Sequence, residues 1–172
     1  KKFVPIGDDF QRGTSARPLL LSTRSRPVAA GVLICYEDVF PGLARANAAA
    51  GAEVLVNLTN NAWYGEGAAA YQHAAHSALR AAETRRPVVR CGNGGWSGWF
   101  DEYGGLREEL RDGRGSVYFR GGGTVRVTRD RRWVDRLTPY TVHGDWFVAV
   151  CAALAVLAAL RVGRVPGRGA GE

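Results

Sequence analysis

A chain of 172 residues is long enough to bury a real core and fits one domain of ordinary size. Its formal charge of +7 points toward nucleic acid or an anionic membrane surface, yet the only lysines are Lys1 and Lys2, and the arginines are scattered through "TRSRP", "ETRRP" and "TRDRRW". No nucleic-acid motif accompanies them, so nucleic acid is set aside as a partner, and three cysteines without a CxxC pair exclude a disulfide framework or a cysteine metal centre.

The sequence has no methionine, and its opening "KKFVPIGDD" has the features of neither a signal peptide nor a transit peptide. The expectation is the C-terminal part of a longer chain. After a Val-Pro-Ile-Gly turn and a polar loop to about Arg17, "PLLLST" and "PVAAGVLIC" read as two short strands. Residues 38–50 read as an alanine-rich helix ending at Gly51, and "AEVLVNLT" as a further buried strand. The polar, aromatic loop "NNAWYGEG" follows. Ala69 to Arg86 forms the clearest helix, with Tyr71, Ala74, Ala75, Ala78, Leu79 and Ala82 at helical spacing on one face. Pro87 ends it and "PVVRC" starts the next strand.

"GNGGWSGWFDEYGG" reads as a glycine-rich turn, a strand and a tight turn, and strand-like pieces continue to about Val127. "GNGG" lacks the GxGxxG order and the following helix of a phosphate loop. Strands alternating with helices predict an α/β domain. The apolar runs are continuous, which predicts strands covered on both sides.

The last forty residues differ in character. Trp146 to Leu160 is an uncharged run of fifteen residues, with Asp145 before it and Arg161, Arg164 and Arg168 after it. A membrane span needs about 20 apolar residues, so a buried core helix competes with this reading. Trp146 at an interfacial position and arginines able to snorkel favour the membrane. The arginines then place the C-terminus in the cytoplasm and the α/β domain outside.

In "GVLICYEDVFP", Cys35 ends an apolar strand where a helix is expected to begin. A cysteine at such a turn is exposed for attack, and nearby backbone N–H groups can hold a developing oxyanion. The competing reading is a buried structural thiol, which is how Cys91 and Cys151 read. His73 and His76 are three residues apart on a helix but lack a third ligand, so no metal is expected. Trp63 and Tyr64, in the loop after a strand, are candidates for contact with substrate. Trp96 and Trp99 fit either strand packing or the rim of a site.

Four motifs in order carry a resemblance over nearly the whole chain: "FVPIGDD", "CYE", "NLTNNAWYG" with the helix after it, and "LTPYTVHGDWF". Together they resemble the nitrilase superfamily and, within it, the apolipoprotein N-acyltransferase family. The resemblance implies an α-β-β-α sandwich, held in part by residues 1–137, then a lead-in (138–145), a transmembrane helix (146–162) and a cytoplasmic tail (163–172). It implies a Glu-Lys-Cys triad with Cys35 as nucleophile, and Tyr36 and Glu37 as residues supporting the site.

Asp8 falls where the family has a further glutamate; it keeps the charge with one methylene less reach. The triad lysine falls just before Lys1, or on Lys1 itself with a one-residue slip, and the glutamate base falls further upstream. The chain alone is thus expected to be inactive. No cofactor is implied. The implied partners are a phospholipid acyl donor, a diacylglyceryl-apolipoprotein acceptor and the bacterial inner membrane, met by a monomer whose catalytic domain lies on the periplasmic face. The rival readings are a soluble amidohydrolase of the same superfamily and a non-catalytic, membrane-anchored lipid-binding module.

Overall fold

The computed structural model describes residues 13–162. Six strands form one mixed sheet in sequential order: β1 (Leu19–Leu21), β2 (Val28–Ile34), β3 (Val54–Asn60), β4 (Val88–Asn93), β5 (Gly98–Phe100) and β6 (Leu106–Glu109). β2, β3 and β4 run parallel, while β1 and the β4–β5–β6 meander pair antiparallel. The two parallel connections carry α1 (Pro41–Ala49) and α2 (Ala68–Thr84). Right-handed crossovers between strands in sequential order lay both helices on the same face of the sheet.

That covered face holds the core. Leu33, Leu55 and Val88 point into it from neighbouring strands and pack with Ala44, Ala70, Ala74 and Ala81 of the helices. Gly31 lets α1 approach closely, because a Cβ there would lie 2.8 Å from the Asn47 side chain and 2.9 Å from Leu55. Trp96 stacks on Phe100 at 4.9 Å and both are buried, as is Trp99, so Trp96 and Trp99 take the packing role.

The opposite face is not covered as the continuous apolar runs predict. Ile34 and Leu58 are 63% and 49% exposed, and Cys91 is exposed on the same face. Among the described residues the cover on this side is partial: Trp99, paired with Val89 on the same face, is buried, while the end nearest Cys35 is open. The runs are apolar on both faces, but the helices of sequential crossovers can shield only one.

Three further expectations are corrected. The helix expected over 38–50 is split into a 3₁₀ turn (Cys35–Val39) and α1, because Pro41, which has no N–H, starts a fresh helix at its first position. The buried stripe of α2 is also rotated from the alanine face. Tyr71 and Leu79 are exposed, while His73, Ser77, Arg80 and Thr84 face inward with Ala74 and Ala81. Finally, the strand-like pieces stop at β6, and residues 110–130 form no strand.

Two more helices close the described region. α3 (Pro139–His143) is capped by Thr138, whose hydroxyl donates to the Glu83 carbonyl at 2.6 Å. Arg45 of α1 donates to the Thr141 carbonyl and lies over the Tyr140 ring. Gly144 ends α3 with φ +64, and a Cβ there would meet the Arg45 guanidinium at 2.8 Å. One residue later begins α4 (Trp146–Val162), 17 residues long and with no buried residue. Its length is about 26 Å at the usual rise per residue. Among the described residues, no helix is long and apolar enough to cross a membrane.

Candidate active site

Cys35 is the first residue after β2 and adopts φ +52, the left-handed region that an L side chain enters at a cost of about 1–3 kcal/mol. Between Cys35 and Val39 the chain makes a single 3₁₀ turn, and α1 begins only at Pro41, three residues past the expected start at residue 38. Side chains from two other elements hold the strained residue. Asn57 of β3 donates its amide to the Cys35 carbonyl at 3.0 Å, and His73 of α2 meets the same oxygen at 3.2 Å. The Thr59 hydroxyl, two residues along β3 from Asn57, lies 3.4 Å from the Cys35 sulfur.

Glu37 folds back so that its carboxylate accepts from the Ile34 N–H at 2.8 Å, clamping the turn around Cys35. Tyr36 is half exposed and its ring lies 5.2 Å from that of His73. A cavity of about 180 Å³ opens beside them, lined by Tyr36, Tyr64, Ala69, Gln72, His73 and His76. Tyr36 and Tyr64 are therefore brought together. Trp63 is 71% exposed and is not part of that lining. Asp8, Lys1 and Lys2 lie outside the described residues.

Beneath the turn lies a buried polar network. Asp38 is fully buried and accepts from Ser77 at 2.6 Å, Arg90 at 2.5 Å and His73 at 3.0 Å. Arg90 also donates to the Ser77 hydroxyl at 3.0 Å, and Arg80 donates to the Asp38 and Val39 carbonyls. His73 Nε2 faces two acceptors, the Cys35 carbonyl and the Asp38 carboxylate, so this nitrogen carries the proton. Burial alone would raise the Asp38 titration. Hydrogen bonds from His73 and Ser77, together with the Arg90 charge, outweigh it and hold the carboxyl below the ordinary range. Burial lowers Arg90 from its usual value, and the adjacent Asp38 opposes that shift.

Asn57, Thr59, His73, Asp38, Ser77 and Arg90 all bear on Cys35 or its turn, yet of these only His73 is weighed for a role of its own in the sequence, and there as a rejected metal ligand. A legible signal was present: His73, Ser77, Arg80 and Thr84 recur at spacings of four, three and four, a polar stripe on an otherwise alanine-rich helix. Such a stripe turned inward must find buried partners. Among the described residues, no group of three or more His, Cys, Asp or Glu side chains is arranged to hold a metal ion.

Comparison with known proteins places this geometry in context. The carbon-nitrogen hydrolase family profile matches residues 9–123. The chain is 38% identical over 131 residues to the apolipoprotein N-acyltransferase of Geobacter metallireducens, covering 76% of this chain and 23% of that protein. It is 39% identical over 166 residues to the one from Gloeobacter violaceus, covering 96% and 29%. The chain thus spans about a quarter of the length of the curated relatives it matches. A carbon-nitrogen hydrolase from Helicobacter pylori G27 aligns with TM-score 0.49 and 16% identity, over 60% of this chain and 42% of that one.

Proposed function

Because the chain belongs to the carbon-nitrogen hydrolase family, we propose that Cys35 is the nucleophile of an N-acyltransferase that completes bacterial lipoproteins. The Cys35 thiolate attacks an ester carbonyl of a phospholipid; a C–S bond forms, the ester C–O bond breaks, and the lysophospholipid leaves with a proton. The α-amine of a diacylglyceryl-cysteine then attacks the thioester; a C–N bond forms, the sulfur departs as thiolate with the C–S electron pair, and the proton lost by the amine passes to the base. The base and the cation that serve these steps come from the upstream glutamate and lysine, with Asp8, Tyr36 and Glu37 supporting and Trp63 and Tyr64 on the substrate side.

The single observation that carries this reading is the Cys35 turn: a strained cysteine after a parallel strand, with its carbonyl doubly held and its sulfur beside a hydroxyl. The relatives named apolipoprotein N-acyltransferase direct it to lipoprotein chemistry. α4 supports a lipid setting, since a 17-residue helix whose first fifteen residues are uncharged and which buries no residue finds its favourable surroundings in lipid. In this proposal residues 1–137 belong to the catalytic domain on the periplasmic face, 138–145 lead into the inner membrane, 146–162 form a short span, and 163–172 lie in the cytoplasm. The thin fit of that span is met by local thinning of the bilayer.

The test uses the full-length parent incubated with phospholipid vesicles. Mass spectrometry should find an acyl adduct on Cys35 that passes to a diacylglyceryl-cysteine peptide and is absent from Cys35→Ser. An adduct on Cys91, or hydrolysis of small amides without any acyl adduct, would overturn the assignment.

A further inference from the structure

The Thr59 hydroxyl has one proton and two acceptors within reach: the Cys35 sulfur at 3.4 Å and the Asn61 side-chain oxygen at 3.1 Å. Thr59 and Asn61 are both buried, so water does not readily replace the bond between them, while Cys35 is half-buried. Both residues belong to the end of β3 and the loop after it, and their positions relative to the sulfur are set by the parallel β2–β3 pairing, in which Ile34 lies opposite Leu58.

We infer that Thr59 is a switching donor for the nucleophile: its proton rests on Asn61 while the sulfur is neutral or acylated and turns to the sulfur whenever that atom is negatively charged. The inference rests on the reading of Cys35 as nucleophile and adds to it a residue that acts on the reacting atom. The physical reason is a difference in acceptor strength. A thiol or thioester sulfur is a weak acceptor, so an amide oxygen 3.1 Å away holds the proton. A thiolate is a charged acceptor, and charge-assisted hydrogen bonds are about twice as strong as neutral ones. A single rotation about the Thr59 Cβ–Oγ1 bond moves the proton between them, with no displacement of heavy atoms. The same donor therefore serves the sulfur when it attacks and when it departs.

Cys35 alkylation by iodoacetamide, followed across a pH series in the full-length chain, tests this apart from any lipid chemistry. The adduct is read at Cys35 by peptide mass spectrometry, because Cys91 and Cys151 are exposed and Cys35 is only half-buried. Thr59→Val keeps the branched shape and removes the donor. Loss of one hydrogen bond to a charged group lowers the thiolate population at neutral pH about tenfold. The less stabilised thiolate is intrinsically about threefold more reactive, from a Brønsted slope of about 0.4–0.5. The variant should thus react about threefold more slowly near neutral pH and about threefold faster at alkaline pH, where both sulfurs are ionised.

This crossing of the two profiles is the expected result. Thr59→Ser, which restores the hydroxyl, should follow the wild type. Superimposed profiles, a Val variant slower at every pH, or a Ser variant that follows Val would each overturn the inference. Acyl transfer by the parent is read separately, so a chain that shows the crossing but forms no acyl adduct on Cys35 would overturn the proposed function and leave the role of Thr59 standing.

Discussion

Arg90→Met leaves the Asp38 carboxylate in the interior without its cation. Both side chains are 0% exposed and meet at 2.5 Å, so nothing on the surface can substitute for the guanidinium. Removing one member of such a buried pair costs about 3–5 kcal/mol. Ser77 and His73 still donate to the carboxylate, which keeps the cost toward the lower end of that range. Asp38→Asn in the same background removes the uncompensated charge while keeping an oxygen for His73. Arg90 Nε and Nη2 have no protein partner even in the intact site, so the methionine also removes two poorly satisfied polar atoms. The double variant should therefore recover at least about 2 kcal/mol relative to Arg90→Met alone.

Urea unfolding of the full-length protein in detergent, arranged as a double-mutant cycle, reads this coupling. A folded-state Asp38 held below the ordinary range adds stability that is present above the unfolded carboxylate value and lost as pH falls through the folded one. The wild type should consequently lose stability below about pH 4, and Asp38→Asn should lack that part of the loss. Additive single variants, or identical acid limbs, would refute the network as a charge-coupled unit.

Two further outcomes follow from the same geometry. Cys35→Gly should raise the melting temperature, because glycine adopts φ +52 without the cost of about 1 kcal/mol that a side chain meets there, while acyl-adduct formation disappears. Leu157→Arg, in the middle of α4, should leave the unfolding of the α/β region unchanged, since α4 has no buried residue. Its predicted consequence is loss of membrane association in a carbonate wash, and retention equal to wild type would remove α4 as the lipid contact.

The alternation of strands and helices was legible because each relies on local signals: apolar runs, Pro41 and Pro87, and glycine-bounded turns. Cys35 was legible as a candidate for the same reason, as a thiol at the end of a strand. The partners of Cys35 were not, because they are set by pairing between segments far apart in the chain. Asp38 finds Arg90 across 52 residues and Ser77 across 39. The misread face of α2 has the same origin. Alanine count favours one stripe, but the demand of buried Asp38 for donors turns His73 and Ser77 inward. The partly open sheet face was likewise invisible, since an apolar run states what a strand tolerates and says nothing about which layers arrive to cover it.

On the proposed function, the fastening of α3 bears on how Cys35 would meet substrates anchored in lipid. Thr138 on Glu83 and Arg45 on Thr141 tie α3 to both helices of the covered face, and only Gly144 and Asp145 separate it from α4. On the proposed reading, the two-residue link between α3 and α4 keeps Cys35 close above the headgroups. A floppy leash would let it wander over many altitudes, most of them beyond the reach of an ester bond that cannot leave the lipid. Search is then confined to two dimensions, and donor and acceptor arrive at the same level in turn.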